Sequence, residues 1–406
     1  ILGEYFVLDV WKRMGGAAQD MLAAGAATGS IGTVTTLLHM VQDFQDLLRH
    51  QNLCTVLTET LNYNVAIVLA WIAPIYVSSA FSAGASNWIP DYLDALATAR
   101  NRFRSTDIAV KEAQAAVNLT TIAGQARDWA QVEAMLDRLD ALRQAFPENP
   151  EIAVKAANTA YNIATFAGRA SEWDRVEAMI DRLDTLRQTF PGNPKIAVAA
   201  ANTAFNIATA AAAGDAGEWD RVEAMIDRLD ALRQAFPDNA KIAVTAANTA
   251  FNITSDASQA GDWARVEALL DRLDALRQDF SDNAEIAVAA AKAALNIATY
   301  ANQAEDWARI DAMRDRLDAL RQAFPENPEI AVTAAKAAVN ITNDALQAGD
   351  WVRVEAMRDR LDALRERYGS DLVIHEDAQQ RITLEDAYNH AARLHEHQRI
   401  KPPPSP

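Results

Sequence analysis

The stretch DRLDALRQAFPENPEIAV, residues 137–154, recurs letter for letter at residues 315–332. Its first four letters, DRLD, recur along the chain at successive steps of 44, 46, 44, 44 and 44 residues. The copies begin at Asp137, Asp181, Asp227, Asp271, Asp315 and Asp359. A fixed period of this size is typical of repeat proteins, in which each unit buries its apolar face against the next unit. The sequence therefore predicts an array of about six repeats.

Each repeat reads as two helices with short connections. The half that starts at Trp263 has apolar residues at steps of three and four, which lie on one side of an α-helix. The preceding half is rich in alanine, a strong helix former. Gly261 and Asp262 suit a left-handed cap followed by a helix N-cap, and Pro147 after Phe146 ends the second helix. The fold class predicted is all-α, a solenoid of helix hairpins.

The order of these features resembles the tetratricopeptide repeat family. The likeness lies in the Gly-Asp-Trp turn at 261–263 and in the Phe, Pro, Asn and Pro residues of 146–150, and it covers residues 91–370. The unit of 44 residues is longer than the family's usual unit of about 34, which implies longer helices. The resemblance implies a right-handed superhelix whose first helices line a groove that binds peptides, extended segments or folded proteins.

Composition and charge narrow the classes of partner. The 406 residues are half apolar and carry a formal charge of -17, which argues against a nucleic-acid partner because phosphate binding needs clustered Lys and Arg. Cys54 is the single cysteine, so a disulfide within the chain is excluded. We therefore expect an intracellular protein, with association with the cytoplasmic membrane as an alternative.

An asparagine recurs once per repeat inside the first helix, and these residues form what we call the asparagine row. Its members are Asn118, Asn162, Asn206, Asn252, Asn296 and Asn340. Large apolar residues precede several of them, among which Tyr161, Phe205 and Phe251 are aromatic. A row of amides could bind a partner's backbone in a groove, or could fix the stacking of neighbouring helices. Both interpretations stay open, and the row with the three aromatics is the candidate partner-binding site.

No pattern in the chain indicates catalysis. A phosphate-binding loop, a nucleophile elbow and a cysteine–histidine pair are missing from the sequence, and His395 and His397 are too closely spaced for one helical face. We expect no enzyme activity, no metal and no cofactor. One tryptophan opens each second helix, and we expect the set to be core: Trp129, Trp173, Trp219, Trp263, Trp307 and Trp351. The DRLD acids are expected to be solvated and only weakly paired.

The two ends differ from the array. Residues 1–90 are predicted to form a separate apolar helical module, in which 21–42 and 62–84 are uncharged runs. The second run is long enough to cross a bilayer, but Pro74 and several serines weaken that tendency, and a helix packed on the first repeat would have the same sequence. Residues 371–406 are predicted to form a helix that caps the last repeat, followed by a proline-rich tail.

Three hypotheses for function follow. The leading one is a non-enzymatic scaffold or adaptor that binds a peptide or protein partner on the repeats. The second is a membrane-anchored effector or sensor, in which residues 21–42 and 62–84 contact the membrane and the repeats act as a docking arm. The third is a structural subunit of a larger assembly or filament, in which copies of the chain self-associate.

Overall fold

The computed structural model describes residues 89–213, 218–376 and 381–400, together with Ala70, Ala73 and Pro74. It divides into two compact units, Ile1–Thr203 and Ala204–Pro406. Within both units the described residues form consecutive helix hairpins, so the all-α solenoid fold is confirmed.

The first unit contains the helices α1 Ile89–Phe103, α2 Thr106–Gln125, α3 Trp129–Ala145, α4 Pro150–Arg169 and α5 Trp173–Thr189, and helix α6 Pro194–Ala212 crosses the boundary. The second unit continues with α7 Trp219–Ala235, α8 Ala240–Gln259, α9 Trp263–Asp279, α10 Ala284–Gln303, α11 Trp307–Ala323, α12 Pro328–Ala348, α13 Trp351–Tyr368, the strands β1 Val373–Glu376 and β2 Arg381–Thr383, and α14 Leu384–Ile400.

The helices pack in two layers within each unit. First helices of successive repeats lie side by side, α2 against α4 in the first unit and α8, α10 and α12 in the second. Each second helix packs on its own first helix and on the next one, as α11 does on α10 and α12. Small side chains such as Ala153, Ala157 and Ala160 of α4 are fully buried, and side chains of this size let packed helices approach closely.

The turns follow the predicted capping chemistry. Asn283 accepts hydrogen bonds from the backbone N–H groups of Glu285 and Ile286 at the start of α10, at 3.0 and 3.2 Å. Asp262 accepts from the N–H of Arg265 at 3.1 Å at the start of α9. Gly261 has a φ of +73°, in the left-handed region that glycine adopts without steric cost. These caps fix where each helix begins, so the connections stay short.

The tryptophans are half-buried, which corrects the prediction that they are core. At least four of them lie at the edge between two repeats, where an arginine of the next second helix covers the ring. Arg309 lies 4.2 Å from the ring centroid of Trp263, and its guanidinium also lies 3.4 Å from Glu267. The same stacking joins Arg175 to Trp129, Arg265 to Trp219 and Arg353 to Trp307. Each of these rings therefore packs in its own repeat and also binds a guanidinium group of the next repeat by cation–π stacking.

Some DRLD charges also join successive repeats, whereas the sequence predicted solvated acids. The arginine of one DRLD copy pairs with the second aspartate of the copy before it. Arg272 lies 3.3 Å from Asp230, and the same pairing joins Arg182 to Asp140, Arg316 to Asp274 and Arg360 to Asp318. The weak pair within one helix, Asp274 with Arg277 at 3.7 Å, is also present. The period of the sequence thus sets the spacing of an ion-pair row on the second helices.

A buried carboxylate ties α1 to the first repeat. Glu112 is fully buried, 3.0 Å from the Nε of Arg100 and 2.9 Å from the Nη1 of Arg138. Arg138 also donates to the backbone carbonyl of Leu93 at 2.9 Å. Burial raises the pKa of Glu112, and the two guanidinium groups act against that rise. The network connects α1, α2 and α3, and the position of Glu112 in its alanine-rich helix does not predict it from the sequence.

The C-terminal segment contains an antiparallel hairpin that the sequence did not predict. Strands β1 and β2 pair His375 with Ile382, and α14 follows directly. Leu384 and Ala387 of α14 are buried in one cluster with Leu361 of α13 and Ile341 of α12. We call strands β1 and β2 with α14 the C-terminal module. It covers the apolar side of the last repeat.

The predicted membrane runs lie mostly outside the described residues. Residues 1–69 are not described, nor is the proline-rich tail at 401–406. Ala70 and Ala73, from the run 62–84, are buried in one cluster with Leu93 of α1 and Ile108 of α2. Within the described part of the chain, no helix has the length and apolar character needed to span a membrane.

Candidate functional site

The asparagine row joins neighbouring first helices through hydrogen bonds. The Nδ2 of Asn296 donates to the hydroxyl of Ser255 on the preceding first helix at 3.2 Å. The equivalent bonds run from Asn162 to Thr121 at 2.8 Å, from Asn252 to Thr209 at 3.5 Å and from Asn340 to Thr299 at 3.4 Å. Asn118 donates to the backbone carbonyl of Pro74 at 2.8 Å. Each of these asparagines therefore uses one N–H of its amide to hold its helix against the preceding segment.

The hydroxyl that accepts each bond lies three residues after the asparagine of its own helix. Thr299 follows Asn296 at this spacing, and its hydroxyl donates in turn to the carbonyl of Leu295 at 2.9 Å. An amide has two donor hydrogens and a carbonyl oxygen with two lone pairs. Asn252, Asn296 and Asn340 are half-buried, and among the described residues their Oδ1 atoms accept no hydrogen bond. Their acceptor capacity is therefore open to a ligand.

From Asn162 onward the residue before each row asparagine is half-exposed although it is large and apolar, whereas Val117 before Asn118 is buried. In the first unit this residue is Tyr161, and in the second it is Phe205, Phe251, Leu295 or Val339. The residue after each asparagine is buried, as for Ile163, Ile253 and Ile297. We call the outward side, with the apolar residue, the asparagine and the hydroxyl, the first-helix face.

Two carboxylates on this face are poorly solvated. Asp256 and Asp344 lie four residues after their row asparagines and are half-buried. Burial raises the pKa of Asp256. Burial also raises the pKa of Asp344, and a hydrogen bond from Asn302 acts in the opposite sense. Burial makes the ionised form of both acids less favourable in free energy, and a cationic or hydrogen-bond-donating ligand would reduce that penalty.

In the second unit the first-helix face ends in a cleft of about 710 Å³, which we call the C-terminal cleft. Leu295 of α10 and Val339 and Asn340 of α12 form one wall. The C-terminal module forms the other wall, with Ile374 and Ile382 as its apolar part. The lining also contains the basic residues Lys336, Arg381 and Arg393, the carboxylate of Asp386, and the imidazoles of His375 and His390. The cleft therefore combines apolar walls with a rim of Lys and Arg side chains, which outnumber its one described carboxylate.

The one carboxylate among the described lining residues has local partners. Asp386 accepts from the backbone N–H of Thr383 at 2.9 Å and from its hydroxyl at 2.8 Å, as an N-terminal cap of α14. The backbone and hydroxyl hydrogen bonds from Thr383 lower the pKa of Asp386. His390 contacts the Oδ1 of Asn343 at 3.2 Å, which joins α14 to α12. Lys336, Arg381 and Arg393 were not among the sequence-predicted site residues, because they come from three separate elements, α12, β2 and α14.

Potential metal ligands are dispersed among the described residues. No group of three or more His, Cys, Asp or Glu residues comes together there in a way that could hold a metal ion. The histidine pair weighed from the sequence, His395 and His397, lies in a stretch of α14 whose side chains are outside the described part.

Comparison with known proteins gives distant structural likenesses. No protein-family model matches the chain, and no curated protein matches it. The apo form of RapI superposes with a TM-score of 0.35 and 9% identity, covering 95% of this chain and 97% of RapI. A Rap protein complexed with competence and sporulation factor gives 0.31 and 9%, covering 95% and 98% of the two chains. A monomeric mutant of IFIT1 with m7Gppp-AAAA gives 0.28 and 12%, covering 83% and 70%.

Proposed function

We propose that the chain is a non-enzymatic scaffold that binds a peptide or protein partner on its first-helix face. The observation that carries this proposal is the half-exposed row of large apolar side chains beside the asparagine row, which includes Tyr161 in the first unit and Phe251 and Leu295 in the second. Exposed apolar rows rimmed by polar groups are typical of protein-binding surfaces. The open Oδ1 atoms of Asn252 and Asn296 would accept hydrogen bonds from a partner's backbone.

The repeat unit would be of the tetratricopeptide type with a length of 44 residues. Helix bounds support this finer statement, because second helices begin at Trp263, Trp307 and Trp351, at intervals of 44 residues. Side-by-side first helices also support it, because they present one face per unit. The partner-binding residues proposed are the asparagine row with Tyr161 and Phe251, joined by Phe205 at the start of the second unit.

The test is a peptide array probed with the full chain, followed by fluorescence anisotropy on the peptides that bind. Replacing both Phe251 and Leu295 with Ala is expected to weaken binding at least about tenfold, because each loses an apolar contact of about 1 kcal/mol or more. The matched control is Val352→Ala, which removes an apolar side chain that is 82% exposed on a second helix. The control should bind as the unaltered chain does.

Two results would contradict this proposal. One is that no peptide on the array binds the chain. The other is that Val352→Ala weakens binding while the change at Phe251 and Leu295 does not. Circular dichroism of each variant separates lost binding from lost folding. The membrane-anchor and assembly-subunit alternatives depend on residues 21–42 and 62–84, of which the structure describes only Ala70, Ala73 and Pro74.

A further inference from the structure

Two lysines at the same position of successive repeats have different surroundings near the end of the array. Lys292 and Lys336 occupy the same position of successive first helices, four residues before their row asparagines. The Nζ of Lys292 lies 2.7 Å from Glu329, which the next first helix supplies. Lys336 instead shares the C-terminal cleft with Arg381 of the C-terminal module, whose strand β1 and helix α14 contact α12. No carboxylate among the described residues forms an ion pair with either Lys336 or Arg381.

The end of the asparagine row is altered in the same place. Asn343 stands at the position where other first helices carry the hydroxyl that accepts from the next asparagine, such as Thr299. Its Oδ1 contacts His390 of the C-terminal module at 3.2 Å. The module thus joins the row as a further repeat would, but brings histidine and arginine to the face. The side chains of Asn340 and Asn343 remain in the lining of the cleft.

The cationic rim is not explained by a shortage of acids. The chain has 55 acidic and 38 basic residues, and neighbouring acids in this region have partners elsewhere. Glu385 lies 3.1 Å from Arg365, and Glu329 pairs with Lys292. Lys336, Arg381 and Arg393 outnumber Asp386, the one carboxylate among the described lining residues, and like charges in one cleft repel each other unless a further anion enters. The cleft is therefore complementary to a negatively charged ligand.

The other walls of the cleft favour an organic ligand over a simple inorganic anion. Leu295, Val339, Ile374 and Ile382 contribute apolar surface beside the cations. A volume of about 710 Å³ is in the range of sites that hold a ligand of several residues or a small molecule. A ligand with an apolar side chain next to a carboxylate matches both kinds of wall.

We propose that the C-terminal cleft binds an acidic peptide segment, in which a carboxylate pairs with Lys336 and Arg381 while an adjacent apolar side chain contacts Val339 and Ile382. The carboxylate takes, against Lys336, the role that Glu329 has against Lys292. The amides of Asn340 and its neighbour Asn343 would contact the peptide backbone. This inference rests on the proposed function and adds the chemistry of the partner.

The test uses fluorescence anisotropy with the full chain and two labelled seven-residue peptides. One alternates leucine with glutamate, the other alternates leucine with glutamine, and both have amidated C-termini. We expect the glutamate peptide to bind at least about tenfold more tightly, because charge-assisted hydrogen bonds are stronger than neutral ones. A third peptide, with glutamate and a free C-terminus, shows whether a terminal carboxylate serves equally well.

Three variants locate the binding site. Lys336→Gln and Arg381→Gln should each lower affinity for the glutamate peptide at least about fivefold and leave the glutamine peptide unchanged. Lys292→Gln is the matched control, because it removes the same charge at the same repeat position outside the cleft. It should leave both affinities unchanged. Raising salt from 50 to 500 mM (about a threefold shorter screening length) should weaken only the glutamate peptide.

The outcomes separate this inference from the proposed function. Equal affinity for the two amidated peptides, or equal effects of Lys336→Gln and Lys292→Gln, overturns the acidic-peptide site. If other peptides from the array still bind and depend on Phe251 and Leu295, the proposed function stands without it. If neither amidated peptide and no array peptide binds, both proposals are wrong. Binding of the free C-terminus alone overturns the assignment of a side-chain carboxylate.

Discussion

At the scale of single residues, the first-helix face holds charges that burial disfavours. Asp256 lies in the last turn of α8, where the helix dipole also disfavours a negative charge. Its neighbours in the row are an asparagine and a serine, Asn252 and Ser255, which carry no compensating charge. A half-buried carboxylate without a compensating charge does not favour packing of the helices, so packing alone does not explain Asp256. Asp256 is thus a candidate contact for a cationic or donor group of a partner.

Replacement of Asp256 by Asn is expected to stabilise the fold at neutral pH. Because burial raises the pKa of Asp256 above its unfolded value, its stability contribution is full below the unfolded pKa and falls as pH rises through the folded pKa. The Asn variant avoids that loss. Its gain should be below about 1 kcal/mol at pH 7, since the half-buried carboxylate is partly hydrated, and should vanish below about pH 3.5.

Urea unfolding followed by circular dichroism at both pH values measures this difference. Asp271→Asn, at an exposed position on the second helix α9, is the control and should change the unfolding midpoint little at either pH. A gain for Asp256→Asn that persists unchanged in acid would show that removal of the charge is not its cause.

At the scale of helices, the asparagine row sets the register between neighbours. A double-mutant cycle between Asn296→Ala and Ser255→Ala should give a coupling free energy of about 0.5–1.5 kcal/mol, because each replacement removes the same hydrogen bond. The measurement is the free energy of unfolding of the chain and of the three variants in urea.

The control cycle pairs Asn296→Ala with Ser281→Ala, whose hydroxyl lies in an exposed turn and contacts Asp282. These two effects should be additive. Additive effects for Asn296 and Ser255 as well would mean that the bond contributes nothing to stacking. The row would then be retained for ligand binding alone.

The helices and their turns follow from local sequence, whereas the contacts between repeats follow only in part. Spacing of apolar residues, the Asn283 cap and the left-handed Gly261 are all readable within a few positions of the chain. The stacking of Arg309 on Trp263 joins residues 46 apart, and their helical pattern alone gives no pairing partner. The tryptophan was therefore assigned to the core rather than to an edge that needs an arginine.

The candidate site was predictable to the same extent. The asparagine row and its aromatic neighbours are visible as a period in the sequence, and the structure places them on one face within each unit. The C-terminal cleft was not predictable, because Lys336, Arg381 and His390 belong to a helix, a strand and a second helix. A short hairpin outside the repeat pattern brings them together. Long-range placement of this kind has no periodic signal.

At the scale of the whole molecule, a repeat array is stabilised by contacts between neighbours, so its last repeat needs a cover. Leu384 and Ala387 of the C-terminal module are buried against the cluster that contains Met357 and Leu361 of α13. The module therefore has two roles, since it covers this apolar surface and also forms one wall of the C-terminal cleft.

A chain that ends at Ser370 is expected to lose hydrogen-exchange protection in α12 and α13 by at least about tenfold, because removal of the C-terminal module exposes Leu361 and Leu364 to water. Stability in such arrays comes from each repeat and its immediate neighbours, so α8 and α9 should keep their exchange rates and serve as the internal control. Exchange monitored by mass spectrometry distinguishes these helices. Unchanged protection in α13 would contradict the covering role, and loss that extends through α8 would contradict stabilisation by neighbours alone.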